Sequence, residues 1–82
     1  MAVFEDRQMA LAIAESIKKQ FGKNSLNAGE FAKYLGMSRQ FVCEKIKRRQ
    51  LPGYKCGSAY SIPVNAIGLW EVRMAKTQQI FD

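Results

Sequence analysis

The sequence predicts a mainly α-helical fold with one small β-hairpin, and three observations predict it. Apolar residues recur at spacings of three and four, the period of a helix with one buried face. Capping residues and glycines interrupt that pattern where helices would start and stop. Late in the chain a Gly-Ser pair separates two short runs of strand-forming residues, the mark of a tight hairpin.

The first helix is expected over Val3 to Phe21, with Met9, Ala10, Ile13, Ala14, Ile17 and Phe21 forming one stripe. Gly22 suits the left-handed residue that closes a helix, and Gly22 to Ser25 read as a turn. In Asn27-Ala28-Gly29-Glu30 the asparagine can cap free amides while the glutamate reaches back, so a second helix starts at Ala28. Phe31, Ala32 and Leu35 face inward, and Gly36 ends the helix after about two turns by adopting a positive φ. Met37 tucks into the corner. Ser38 caps a third helix, from Arg39 to about Arg49, whose core stripe is Val42 and Ile46, with Phe41 a further candidate.

Leu51-Pro52-Gly53 stops that helix, and Tyr54-Lys55-Cys56 and Ala59-Tyr60-Ser61-Ile62 are expected to pair as strands around Gly57-Ser58. Pro63 fits the first turn of a last helix, in which Ile67, Trp70 and Met74 share a face. Trp70 and Phe31 are assigned to packing. The tail, Lys76 to Asp82, is polar except for Ile80 and Phe81, which can dock on the domain or on a second copy. This divides the chain into an N-terminal helix (1–24), a central domain (25–76) and a short tail (77–82). The N-terminal helix is read as an extra core layer, with a dimer seam as the alternative.

A short helix, a three-residue turn containing glycine and a second, basic helix make a helix-turn-helix, and the hairpin supplies a wing. The expected architecture is therefore a winged helix-turn-helix with an additional N-terminal helix. An αα-corner that only packs would show the same glycine and the same apolar residues, so charge decides between the two.

Lysine and arginine number 13 against 7 acids among 82 residues, a net charge of +6. That excess is local. Residues 33–55 carry Lys33, Arg39, Lys45, Lys47, Arg48, Arg49 and Lys55 against Glu44 alone, while the segments on either side are neutral. A surface built only for solubility mixes its signs, so segregation of this kind points to a polyanionic partner, nucleic acid before lipid. The basic helix lacks the broad apolar face that a membrane surface would require.

There is no histidine. This removes the Ser-His-Asp and Cys-His arrangements and the commonest metal ligand, and no phosphate-binding glycine loop or carboxylate cluster takes their place. Neither an enzyme nor a metal or cofactor is expected. Cys43 and Cys56 form no C-x-x-C pair and fit reduced thiols in the cytoplasm. Cys43 reads as a small filler, with redox sensing as the minor alternative.

The run E-F-A-K-Y-L-G-M-S-R from Glu30 to Arg39, followed by Val42, Ile46, Leu51-Pro52, Lys55, Gly57, Tyr60, Ile62-Pro63 and Trp70, resembles the excisionase-like winged helix-turn-helix domains, relatives of the MerR DNA-binding domain. The resemblance spans Asn27 to Trp70. It implies a bacterial, plasmid or phage protein that binds double-stranded DNA, with the helix after Ser38 in the major groove and the hairpin on the backbone or minor groove. It also implies a role as a recombination, transfer or packaging accessory factor or as a small transcription regulator, which makes a recombinase, relaxase or polymerase a possible partner. Where such hairpins often carry arginines, this one has Gly57-Ser58-Ala59 and Lys55, so affinity is expected to rest on the helix.

Arg39 and Gln40, in the first turn of the third helix, are the leading base readers, through guanine O6/N7 and adenine respectively. Cys43, Glu44 and Lys47 follow on the same side; Glu44 can accept from cytosine N4 or pair with Arg48 four residues on. Ser38, Arg48, Arg49 and Lys55 are expected at phosphates, with Lys47 able to serve there too, and Gly57, Ser58 and Tyr60 at the wing. Tyr54 and Tyr60 can reach sugar and phosphate or stack on the core. Neutralising about four to six phosphates would give log K a slope near −4 to −5 against log salt. One such domain reads few base pairs, so self-association on repeated sites is expected. The alternative from another class is a protein-interaction adaptor whose basic helix docks on an acidic partner.

Overall fold

The structure, a computed structural model, describes residues 3–77. In chain order these form α1 (Val3–Phe21), β1 (Ser25–Leu26), α2 (Ala28–Leu35), α3 (Arg39–Lys47), β2 (Tyr54–Cys56), β3 (Ala59–Pro63) and α4 (Val64–Thr77). The fold is thus mainly helical with a small antiparallel sheet, of strand order β1-β3-β2. Ile80 and Phe81, for which docking is expected, lie outside the described residues.

Local chemistry sets most of the boundaries. α1 carries Glu5 and Asp6 in its first turn and Lys18 and Lys19 in its last, the arrangement its dipole favours. α2 opens on a complete capping box: Asn27 Oδ1 accepts from the Glu30 N–H at 2.8 Å, and Glu30 Oε1 accepts from the Asn27 N–H at 2.9 Å. Lys23 Nζ reaches the same carboxylate at 2.8 Å. α2 closes on Gly36, at φ 73°, with the Met37 N–H donating to the Ala32 carbonyl at 2.9 Å and the Gly36 N–H to that of Lys33 at 3.3 Å. Met37 packs against the core, as a residue just past such a stop commonly does. Ser38 Oγ then accepts from the Phe41 N–H at 3.1 Å and starts α3.

The core collects one fully buried side chain from every element except β2: Ile17, Leu26, Phe31, Val42, Ile62 and Ile67. Phe31 meets Trp70 edge-on, ring centroids 6.2 Å apart. Tyr34 of α2 donates its hydroxyl proton to Glu71 Oε2 of α4, locking the two helices together. All of β2 is exposed, so the hairpin stands away from the core and β3 anchors it through Ile62.

α1 adds a layer across α4, its most extensive neighbour, and sends Ala14 and Ile17 into the common core. The helices touch backbone to backbone. A Cβ on Gly68 would stand 2.2 Å from the Ala10 carbonyl oxygen, so this approach admits only glycine. Lys76 Nζ and Asp6 Oδ2, 2.8 Å apart, tie the other end of the pair.

Four expectations are corrected. Ser25 and Leu26, read as turn and approach to α2, form a strand, pairing with Pro63 and Ile62 of β3. That same pairing draws Pro63 out of the last helix: it ends β3, and α4 begins one residue later as the Val64 N–H bonds the Asn24 carbonyl at 2.9 Å. Met9, placed in the buried stripe, is 52% exposed, because α4 covers α1 on the side of Ala10 and Ala14. α3 ends at Lys47 rather than near Arg49, since Arg49 turns left-handed at φ 60° and breaks the helical ladder.

Candidate nucleic-acid interface

α3 buries Val42 and Ile46 and turns its remaining surface to solvent. Gln40, Glu44 and Lys47, at spacings of four and three, make its outermost line, all three exposed. Arg39 is exposed but flanks that line. Its stem lies beside the first turn of α2, with Cδ 3.9 Å from where a Gly29 Cβ would stand. Cys43 is half-buried and packs against the core, which leaves only part of it facing outward. The five residues expected to read bases therefore separate into an outward line of three, Arg39 on a flank beside α2, and Cys43 half-buried against the core.

The electrostatics follow from which cations find partners. Arg48 Nε lies 3.8 Å from Glu44 Oε1, an exposed i, i+4 pair that contributes little to stability. Lys45 Nζ sits 5.3 Å above the Phe41 ring, and Phe41 is only half-buried rather than a full core residue. Among the described residues, Lys33, Arg39, Lys47, Arg49 and Lys55 have no carboxylate partner. Three acids outside this segment are engaged: Glu30 with Lys23, Asp6 with Lys76, and Glu71 with Tyr34. The Lys23 ammonium and the Asn27 N–H hold the Glu30 carboxyl below its ordinary value, so it stays charged at the start of α2.

The hairpin meets the end of α3 across a cleft of about 540 Å³. Lys47 and Arg49 line it from the α3 side, and Tyr54, Lys55 and Tyr60 from the hairpin. Tyr60 is half-buried and packs on the core, whereas Tyr54 is 55% exposed. Gly53 lets the chain pass close to the core here: at φ 136°, its Cβ position would lie 3.0 Å from Ile62 Cγ1. The exposed pair Gly57-Ser58 forms the hairpin tip, with Gly57 at φ 67° as two-residue turns of this kind require. Ser38 is exposed; its oxygen caps α3, which leaves the hydroxyl proton available to an acceptor outside the protein.

Sequence reasoning did not find the cleft itself, the seat of Lys45 on Phe41, or the conformation of Arg49. The nearest signal was the Leu51-Pro52-Gly53 stop, which marks where the chain turns but not what the turn faces.

Cys43 and Cys56 are both free thiols. Among the described residues no group of three or more histidine, cysteine or carboxylate side chains could hold a metal ion. No described helix is long and apolar enough to cross a membrane. No family model, curated protein or solved structure matches this chain.

Proposed function

We propose that this chain is a winged helix-turn-helix protein that binds double-stranded DNA sequence-specifically, acting without chemistry of its own. In this reading it is an accessory or architectural factor, or a transcription regulator, of a bacterial, plasmid or phage system. α2 and α3 form the helix-turn-helix about Gly36, α3 is the recognition helix, and the β2–β3 hairpin is the wing.

The observation that carries this reading is the location of the net charge. The whole net charge of +6 falls on residues 33–55. Five of the seven cations there have no carboxylate partner among the described residues. With Glu44 the one acid of that segment, the chain leaves this charge uncompensated locally, and a phosphate backbone would supply the missing partners and release its counterions as it does so. Within that field, Gln40, Glu44 and Lys47 stand outermost on α3, where a helix lying in a major groove presents side chains to base edges. Arg39, from its flank beside α2, reaches a guanine at the edge of the same site or a phosphate next to it.

The test is selection of bound duplexes from a random pool at about 150 mM salt, where non-specific attraction is screened. Enrichment of one short motif, shifted by substitution of Arg39 and Gln40, is the expected result. Recurrence of the motif as direct or inverted repeats would separate head-to-tail assembly from a two-fold dimer. Absence of any enrichment would refute sequence-specific reading and leave either a non-specific DNA binder or an adaptor whose α3 docks on an acidic protein partner.

A further inference from the structure

α2 and α3 end in the same backbone motif with different residues at its critical position. At the end of α2, the N–H groups of Met37 and Gly36 bond the carbonyls of Ala32 and Lys33. At the end of α3, the N–H groups of Gln50 and Arg49 bond those of Lys45 and Ile46, at 2.8 and 3.0 Å. Gly36, at φ 73°, and Arg49, at φ 60°, are therefore equivalent residues of one helix stop. Glycine takes this left-handed conformation freely. A side chain with a Cβ does not, and Arg49 is the non-glycine residue with positive φ among those described.

The fold does not need an arginine there. Arg49 is exposed and makes no ion pair among the described residues, so what offsets the unfavourable backbone is the hydrogen bonding of the helix stop, which glycine would make equally well. What the conformation does achieve is placement. It carries Arg49 off the axis of α3 to the wall of the cleft facing Tyr54, Lys55 and Tyr60, with Lys47 beside it. Strained residues that persist without an internal reason concentrate at binding sites.

We infer that Arg49 is a nucleic-acid contact held in an unfavourable backbone conformation, and that its guanidinium grips a backbone phosphodiester at the mouth of the cleft between α3 and the hairpin. A guanidinium presents a planar fork to phosphate oxygens, Lys47 and Lys55 add point charges on both sides, and the Tyr54 hydroxyl, exposed on the hairpin wall, can donate to the same group. The inference rests on the DNA-binding reading and adds that stability and binding oppose each other at this one residue.

The experiment compares the full chain with Arg49→Gly and Arg49→Lys, measuring thermal unfolding and binding to a labelled duplex of arbitrary sequence across a salt series. Arg49→Gly is expected to melt about 4–8 °C higher, because strain is removed, while its log K against log salt becomes shallower by about one unit, because one phosphate contact is lost. Arg49→Lys is expected to keep both the melting point and the slope. An unchanged slope in Arg49→Gly would show that Arg49 touches no phosphate, and a lower melting point would show that the arginine supports the fold; either overturns the inference while leaving DNA binding intact. Failure of the unsubstituted chain to bind any duplex at low salt would overturn the DNA-binding reading itself, and this inference with it.

Discussion

Gly68 is the residue at which the packing of the N-terminal helix can be tested most sharply, because two ordinary expectations for Gly68→Ala have opposite signs. Alanine in a helix interior is favoured over glycine by about 1 kcal/mol, so propensity alone predicts a stabilised protein. The geometry predicts otherwise. The new Cβ would lie 2.2 Å from the Ala10 carbonyl oxygen and 3.0 Å from its carbon, where ordinary contact begins near 3.4 Å, so α1 and α4 must part by about 1 Å. A gap of that size forfeits about a quarter to a half of the dispersion energy of each contact it opens. The obstruction is backbone rather than the end of a flexible side chain, which puts the cost near the upper end of overpacking, about 3 kcal/mol. The net loss is then about 2 kcal/mol, or a melting point lower by about 8–16 °C in a domain of this size. Gly29→Ala is the matched control. Its Cβ would meet only Asn27 Oδ1 at 3.4 Å and Arg39 Cδ at 3.9 Å, so this variant should gain up to about 0.5 kcal/mol from propensity. Thermal unfolding followed by far-ultraviolet circular dichroism, with urea midpoints as a second measure, would read both. Gly68→Ala melting at or above the unsubstituted protein would refute the close approach of α1 and α4.

Three further predictions follow from the ionisable groups and the cap. Glu30 has its folded-state pKa held below the ordinary 4.5 by Lys23 and the Asn27 N–H, so its stabilisation is present above that value and is lost as the pH falls through the folded pKa; the urea midpoints of Glu30→Gln and the unsubstituted chain should differ at pH 7 and converge in acid. Tyr34 is shifted the other way, above its ordinary 10.0, by burial and then by its bond to Glu71. Its contribution is therefore full below pH 10 and lost only as the pH rises through the higher folded value; an absorbance titration should show one late-ionising tyrosine that Tyr34→Phe removes. Asn27→Ala should cost about 1 kcal/mol, read as a lower urea midpoint, because the Glu30 N–H in the first turn of α2 loses its acceptor, Asn27 Oδ1.

The features that proved legible are those decided within a few residues of chain. The Asn27–Glu30 box, the Gly36 stop, the Ser38 cap and the Gly57-Ser58 turn depend on hydrogen bonds and dihedral preferences between near neighbours, and all stand where the residue types place them. The segregation of charge into residues 33–55 is likewise a property of order along the chain. The candidate site was legible as a list and less so as an arrangement. Lys47 and Arg49 meet Tyr54, Lys55 and Tyr60 across one cleft, and only the packing of Arg39 beside Gly29 and of Cys43 against the core sets those two apart from the outward line of Gln40, Glu44 and Lys47.

What escaped the sequence depends on partners distant along it. Ser25–Leu26 is too short to show alternation, and it becomes a strand only because β3 offers an edge, which in turn takes Pro63 from α4. Met9 obeys the helical period as well as Ala10 does, and which of them is buried is settled by where α4 crosses α1. Arg49 has neither the flexibility nor the neighbours that announce a left-handed residue. The sequence by itself thus determined the helices, their caps and the location of the charge, because these follow from short-range bonds and composition. The tertiary structure decided the third strand, the covered side of α1 and the cleft between α3 and the hairpin, because each requires two surfaces that meet only once the chain has folded.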